Sequence, residues 1–353
     1  MGRFKLVVAA AAIGVALLSH TRLPGDLCEL SNIFFETPPA WLSDVCDDII
    51  AADESRRWHQ GPEWAAFLEE YESVYTATLG QCERKLILTR FGRTFVHECG
   101  TRNEAAVLFF HGATCTSTMW EGVVAHEALA QKRLVLVDHI CDAGKSVPTR
   151  CPFSAADHAV WLADVQKGLG IQTSDLVGYS LGAYATGLMK LAQPDRVGRL
   201  VHAGPAAVYG PFNSWFFARV LVAGLARAWP DVGRYTPARK SLDMAWLWQF
   251  MTAPTYDVYE TPPPQLALHT RSVTLKKPRG FPRPREFSDA ELLLLNTTAV
   301  IYPEFETITH KAIMKRRANE AGIPFIEIAA SGHGVPFERP RVFADAIASA
   351  LLD

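Results

Sequence analysis

Short apolar runs recur along this chain, each closed by small or polar residues. The runs at 105–110, 133–138, 175–177, 199–203, 298–302 and 325–329 are dominated by Val, Leu, Ile, Phe and Ala, with too few polar positions to alternate. Continuous runs of this length predict strands buried on both faces. The stretches between them have a helical period. Val160, Trp161, Val165 and Leu169 fall on one face of 154–169, and 183–191 and 342–352 also read as helices. Upstream, Trp64, Phe67, Leu68, Tyr71, Val74 and Tyr75 predict an amphipathic helix over 64–76. The segments 85–90 and 94–97 read as a hairpin folded around Phe91-Gly92, with Arg90 facing Arg93. Strands alternating with helices predict an α/β protein with a mostly parallel central sheet. In such sheets functional groups collect beyond the carboxyl ends of the strands.

The alternation stops between 206 and 287. This stretch is helix-like and aromatic (Phe212, Trp215, Phe216, Phe217, Trp229, Trp246, Trp248, Phe250), then turns proline-rich and basic through Lys276-Lys277-Pro278-Arg279 and Arg283-Pro284-Arg285. It reads as a helical cap inserted into the sheet domain. The basic run is a solvated loop, with contact to anionic lipid as the sharper alternative. The expected organisation is a leader at 1–20, an N-terminal extension at 21–80, a core in two parts at 81–205 and 288–353, and the cap at 206–287.

The first residues change the picture of where the chain works. Arg3 and Lys5 precede an apolar stretch from Leu6 to Leu18, which suits a signal-peptide core and is short for a membrane span. The expectation is a secreted or secretory-lumen protein; the alternative is membrane association through an uncleaved N-terminal anchor. All seven cysteines lie beyond this segment. In an oxidising compartment the hairpin register favours a Cys82–Cys99 bridge. Cys141–Cys151 would clip one loop, Cys28–Cys46 would tie down the extension, and Cys115 would lie outside any bridge. The alternative keeps all seven reduced and packed. The formal net charge of −2 gives no reason to expect a nucleic acid partner, and no cysteine has metal-ligand spacing with histidine.

The chemistry centres on Gly178-Tyr179-Ser180-Leu181-Gly182, placed between a predicted strand and a predicted helix. This is the form of a nucleophile elbow: the glycines relieve crowding around a sharply turned serine at a helix N-terminus. A serine hydroxyl needs a base, and the base needs an acidic partner. His333, in Ser331-Gly332-His333-Gly334 after the last strand, is the best placed of eleven histidines. The acid should follow the strand at 298–302, where Pro303-Glu304-Phe305-Glu306 offers two candidates. Glu306 is preferred because it stands clear of the last pleat; Glu304 remains the alternative. The backbone N–H groups of Leu181 and of Ala113, in His111-Gly112-Ala113, are the expected oxyanion donors. His111 itself reads as a structural hydrogen-bonding residue.

With these residues in place the chain resembles the α/β-hydrolase superfamily, and most of all its capped carboxylesterase-like serine hydrolases. The resemblance runs from about Phe67 to Leu352. It rests on Thr89-Arg90-Phe91-Gly92, Leu108-Phe109-Phe110-His111-Gly112-Ala113, the Asp138…Asp142-Ala143-Gly144-Lys145-Ser146 loop, the elbow, Phe287-Ser288-Asp289-Ala290-Glu291-Leu292, and Gly332-His333 followed by Glu338-Arg339-Pro340. It implies Ser180 as nucleophile, His333 as base, Glu306 as acid, Ala113 with Leu181 as oxyanion donors, and no cofactor or metal. Pro303-Glu304 stands where relatives usually carry Gly-Glu. The expected substrate is a small-molecule hydrophobic ester. Alternatives on the same residues are amide or peptide, thioester or carbon–carbon bond hydrolysis, or a ligand-binding member of the fold without catalysis.

Overall fold

A computed structural model of the protein describes residues 61–75, 79–102, 104–216, 218–220, 244–263, 265–272, 275 and 284–352. The predicted leader, most of the N-terminal extension, the Cys28–Cys46 pair and much of 206–287 lie outside these residues. The chain divides into two units, 1–58 with 214–247, and 59–213 with 248–353. Everything below concerns the second.

Its framework is a nine-stranded sheet in the order β1-β2-β4-β3-β6-β7-β8-β9, with β5 paired to β2. The strands are β1 (Glu83–Thr89), β2 (Gly92–Gly100), β3 (Ala106–Phe110), β4 (Arg133–Val137), β5 (Val147–Pro148), β6 (Ser174–Tyr179), β7 (Val197–Ala203), β8 (Ala299–Phe305) and β9 (Phe325–Gly332). From β4 to β9 along this order every pairing is parallel, whereas β1, β2 and β5 pair antiparallel at one end.

The principal helices are α1 (Pro62–Ser73), α2 (Ala155–Gly168), α3 (Leu181–Ala192), α4 (Gln265–Ser272), α5 (Asp289–Leu295), α6 (Lys311–Glu320) and α7 (Pro340–Leu352). The apolar runs are continuous because both faces of the sheet are covered. Leu108 and Phe110 of β3 pack with Trp161 and Val165 of α2 and Leu188 of α3, while Val107 and Phe109 pack with Trp120 and with Phe343 and Ile347 of α7. Burying a side chain of this size contributes about 1.5–3 kcal/mol. The amphipathic face of α1 forms a smaller cluster with Phe95 and Leu268 through Phe67 and Tyr71.

Two expectations are corrected. The β1–β2 turn keeps its two-residue length but is shifted one residue toward the N-terminus: Thr89 faces Gly92, and Arg90-Phe91 form the loop. Gly92 has φ +122, and a Cβ there would stand 2.3 Å from the Val147 carbonyl oxygen, so the close approach of β5 demands glycine. Glu83 faces Glu98 in the same register, which carries Cys82 opposite Cys99, and the two are bridged. Cys141 and Cys151 are also bridged, and Cys115 is in neither bridge.

The second correction concerns β8. It continues beyond Tyr302 to Phe305, so Pro303 and Glu304 lie on the strand. β9 runs on to Gly332, and Phe305 pairs with Gly332 across a register shift. A proline is tolerated at such an irregularity because the ladder hydrogen bond is already interrupted. No helix among the described residues is long and apolar enough to cross a membrane.

Several histidines are buried neutral. Burial lowers the imidazoles of His97 and His158 to about 4 and that of His202 to about 3. In the unfolded chain each returns to about 6.5 and binds protons more readily. Stability is therefore fully present above pH 6.5 and is lost as pH falls from there to about 4, by about 3 kcal/mol for a ring of this kind. Urea unfolding at pH 7.5, 6, 5 and 4 should show the midpoint falling steadily across that window; a midpoint constant between pH 6.5 and 4 would contradict the burial of neutral rings.

Candidate active site

Ser180 occupies the single residue between β6 and α3. Its backbone is left-handed, with φ 53 and ψ −115. That strained conformation is held by ladder-like bonds on both sides: the Ser180 N–H donates to the Ala203 carbonyl at 2.9 Å, and the Ser180 carbonyl accepts from the Ala206 N–H at 3.1 Å. The flanking glycines are steric necessities. A Cβ on Gly178 would meet Ala183 Cα and Thr186 Oγ1 at 2.5 Å, and one on Gly182 would meet the Phe110 carbonyl oxygen at 2.2 Å. The motif therefore packs the start of α3 directly against the ends of β3 and β6.

His333 follows β9 immediately. Its Nε2 lies 3.1 Å from Ser180 Oγ and its Nδ1 lies 2.8 Å from Glu306 Oε2. The second carboxylate oxygen of Glu306 accepts the Ile308 N–H at 2.6 Å. The Glu306 side chain is fully buried and that of His333 nearly so. With Nδ1–H donated to the carboxylate, Nε2 presents its lone pair to the serine hydroxyl.

Glu304 is placed elsewhere. Its Oε2 accepts the Ala330 N–H at 2.7 Å, so it braces the β9 backbone and does not reach His333.

The imidazole is held from several sides. The Tyr179 hydroxyl donates to the His333 carbonyl, and its ring lies 5.2 Å from the imidazole. Gly204, at φ +48, passes so close that a Cβ would stand 3.3 Å from His333 Cε1. Glu338 accepts from the Gly332 N–H at 3.1 Å and the Ala253 N–H at 2.8 Å, and burial raises its carboxyl above the usual range. The bracing by Tyr179 and Glu338 was not predicted. Glu338 stands in the Glu338-Arg339-Pro340 motif, and its spacing from Gly332 on a short helical turn was the available signal.

The proposed oxyanion donors flank the serine. Leu181 is the first residue of α3, so its N–H has no intrahelical acceptor. Ala113 lies in the turn after β3, which is closed by a Cys115 N–H to Gly112 carbonyl bond of 3.1 Å. Gly112 brings that turn against the elbow, since a Cβ there would approach Ser180 Cβ to 3.2 Å. His111 faces inward: its Nδ1 lies 2.8 Å from the Gly112 carbonyl, and its Nε2 accepts the His139 N–H at 2.9 Å. Both ring nitrogens are engaged, as expected of a structural residue.

The sequence profile described as "Alpha/beta hydrolase family" matches residues 107–346, well over half of the chain. The chain belongs to the alpha/beta hydrolase family. It is a hydrolytic enzyme of the serine-hydrolase type. This hydrolase is 27% identical over 288 residues to the carboxylesterase YbfK of Bacillus subtilis, a match covering 78% of this chain and 90% of YbfK. It is 34% identical over 155 residues to the uncharacterized carboxylesterase nap of the same organism, a match spanning 43% of this chain and only 51% of nap. The crystal structure of naproxen esterase from B. subtilis superposes with a TM-score of 0.69 at 24% identity, covering 83% of this chain and 99% of that one. At that identity the superposition speaks for the shared fold.

Proposed function

We propose that this hydrolase cleaves carboxylic esters through an acyl-enzyme, with Ser180 as nucleophile, His333 as general base and Glu306 as the acid that orients it. The observation that carries the reading is the unbroken line of hydrogen bonds from Ser180 Oγ through His333 to Glu306. The likeness to proteins named as carboxylesterases directs it toward esters. Ser180 Oγ attacks the ester carbonyl carbon while His333 Nε2 takes its proton. The tetrahedral oxyanion is received by the Leu181 and Ala113 N–H groups. The intermediate collapses, and His333 returns the proton to the leaving alcohol. Water, deprotonated by the same nitrogen, then releases the carboxylic acid and restores Ser180.

The aromatic composition of 206–287, the proposed cap, favours an ester with a hydrophobic acyl or alcohol portion. The two bridges suit an oxidising compartment, and the basic, then apolar, N-terminal sequence suits export or anchoring to a membrane.

The test is turnover of a p-nitrophenyl ester series of increasing acyl length, together with a fluorophosphonate probe. The expected result is hydrolysis of the longer esters and a single adduct on Ser180. Folded protein that neither hydrolyses the series nor takes up the probe would refute the proposal.

A further inference from the structure

The turn that carries Ala113 is built around a strained residue. Thr114 has φ +60, a left-handed conformation that disfavours β-branched side chains. Bonds within the turn and from its surroundings together hold it there. The Thr114 N–H donates to Asp142 Oδ2 at 2.9 Å, and the Thr114 hydroxyl donates to the Ala113 carbonyl at 2.6 Å. These two bonds hold opposite edges of the same peptide plane, between Ala113 and Thr114. One peptide further on, Ser272 Oγ of α4 donates to the Thr114 carbonyl at 2.6 Å. His269 Nε2, one turn earlier on α4, lies 2.6 Å from Thr114 Oγ1.

Asp142 is itself fixed. Its Oδ1 accepts the Ala143 N–H at 2.7 Å, and its own N–H donates to the His139 carbonyl at 3.2 Å. The preceding residue, Cys141, is also left-handed at φ +67 and is bridged to Cys151. The same loop meets the turn a second time, where the His139 N–H donates to His111 Nε2.

The geometry points to Asp142 as a positioning residue for the oxyanion site: by holding the Thr114 N–H it locks the turn in the strained form that aims the Ala113 N–H at the reacting carbonyl. The inference rests on the proposed role of Ala113. Without the Asp142 acceptor, Thr114 relaxes toward negative φ, the Ala113–Thr114 peptide rotates, and the adjoining Ala113 N–H swings with it. The ester still binds, because Asp142 does not touch it. What is lost is stabilisation of charge that exists only in the transition state.

The expected signature is a split between kcat and KM. Deleting an oxyanion donor costs about 10²–10³ in kcat; misaiming one costs less, so D142A should lower kcat by about 10- to 100-fold with KM within about threefold. D142N has one acceptor oxygen where Asp142 accepts both the Ala143 and the Thr114 N–H, so it should recover at most part of that loss. S272A, which frees the next carbonyl of the turn, should lower kcat by a smaller factor, again with KM little changed; it serves as the test if D142A does not fold. The rate of fluorophosphonate labelling at Ser180 should fall in parallel with kcat, since that adduct uses the same donors.

Activity of the wild-type chain with loss of activity in S180A, combined with D142A or S272A at wild-type kcat, overturns this inference and leaves the ester reading intact. So does a D142A loss expressed in KM. A wild-type chain without esterase activity overturns both.

Discussion

Ser180→Ala is expected to lower p-nitrophenyl ester turnover by about 10⁴- to 10⁶-fold, the scale on which removing the nucleophile disables a Ser-His-acid unit. The structural cost should be small. Alanine at φ 53 bears the same backbone strain as serine, and the bonds from the Ser180 N–H to Ala203 and from Ala206 to the Ser180 carbonyl involve no side chain. The thermal midpoint should therefore stay within a few degrees of wild type while both turnover and fluorophosphonate labelling disappear. A folded S180A protein retaining wild-type hydrolysis would place the nucleophile elsewhere.

The second large effect separates two glutamates two residues apart. Glu306→Gln should reduce kcat by about 10⁴-fold, whereas Glu304→Gln should change it by no more than a fewfold. The asymmetry follows from hydrogen-bond direction. The Ile308 N–H sits 2.6 Å from Glu306 Oε1 and would hold the glutamine carbonyl oxygen on that side. The amide NH₂ would then face His333 Nδ1, 2.8 Å from the present Oε2. An amide donor forces Nδ1 to accept, which moves the ring proton to Nε2, where it can no longer take the proton of Ser180. Glu304 asks less of its carboxylate: it accepts the Ala330 N–H, and a glutamine oxygen can do the same. Paired kcat measurements on the two variants decide the matter, and a larger loss in E304Q would transfer the acid to Glu304.

Much of this arrangement was legible before any coordinates. The elbow was readable because its constraint is local: a serine between a strand and a helix, with glycines where the chain crowds itself. The strands 105–110 and 133–138 emerged as β3 and β4 nearly unchanged, since burial on both faces leaves a continuous apolar run. The Cys82–Cys99 pairing was readable because an antiparallel hairpin keeps the sum of facing numbers constant, even though its two-residue turn lies one residue earlier than expected.

The miss at the end of β8 has a long-range cause. β8 extends through Pro303 because β9 continues beside it to Gly332, and that support is far off in sequence.

What the sequence by itself determined was therefore the class of sheet, the serine and its setting, and a short set of partners, because each is encoded by periodicity or by residues close to one another in the chain. Only the tertiary structure chose Glu306 over Glu304 as the residue beside His333. It alone brought Asp142, Ser272 and Glu338 to the turns they hold. Those pairings depend on where loops from different strands meet beyond one sheet edge, and direction and distance across such a gap leave no periodic trace in the chain.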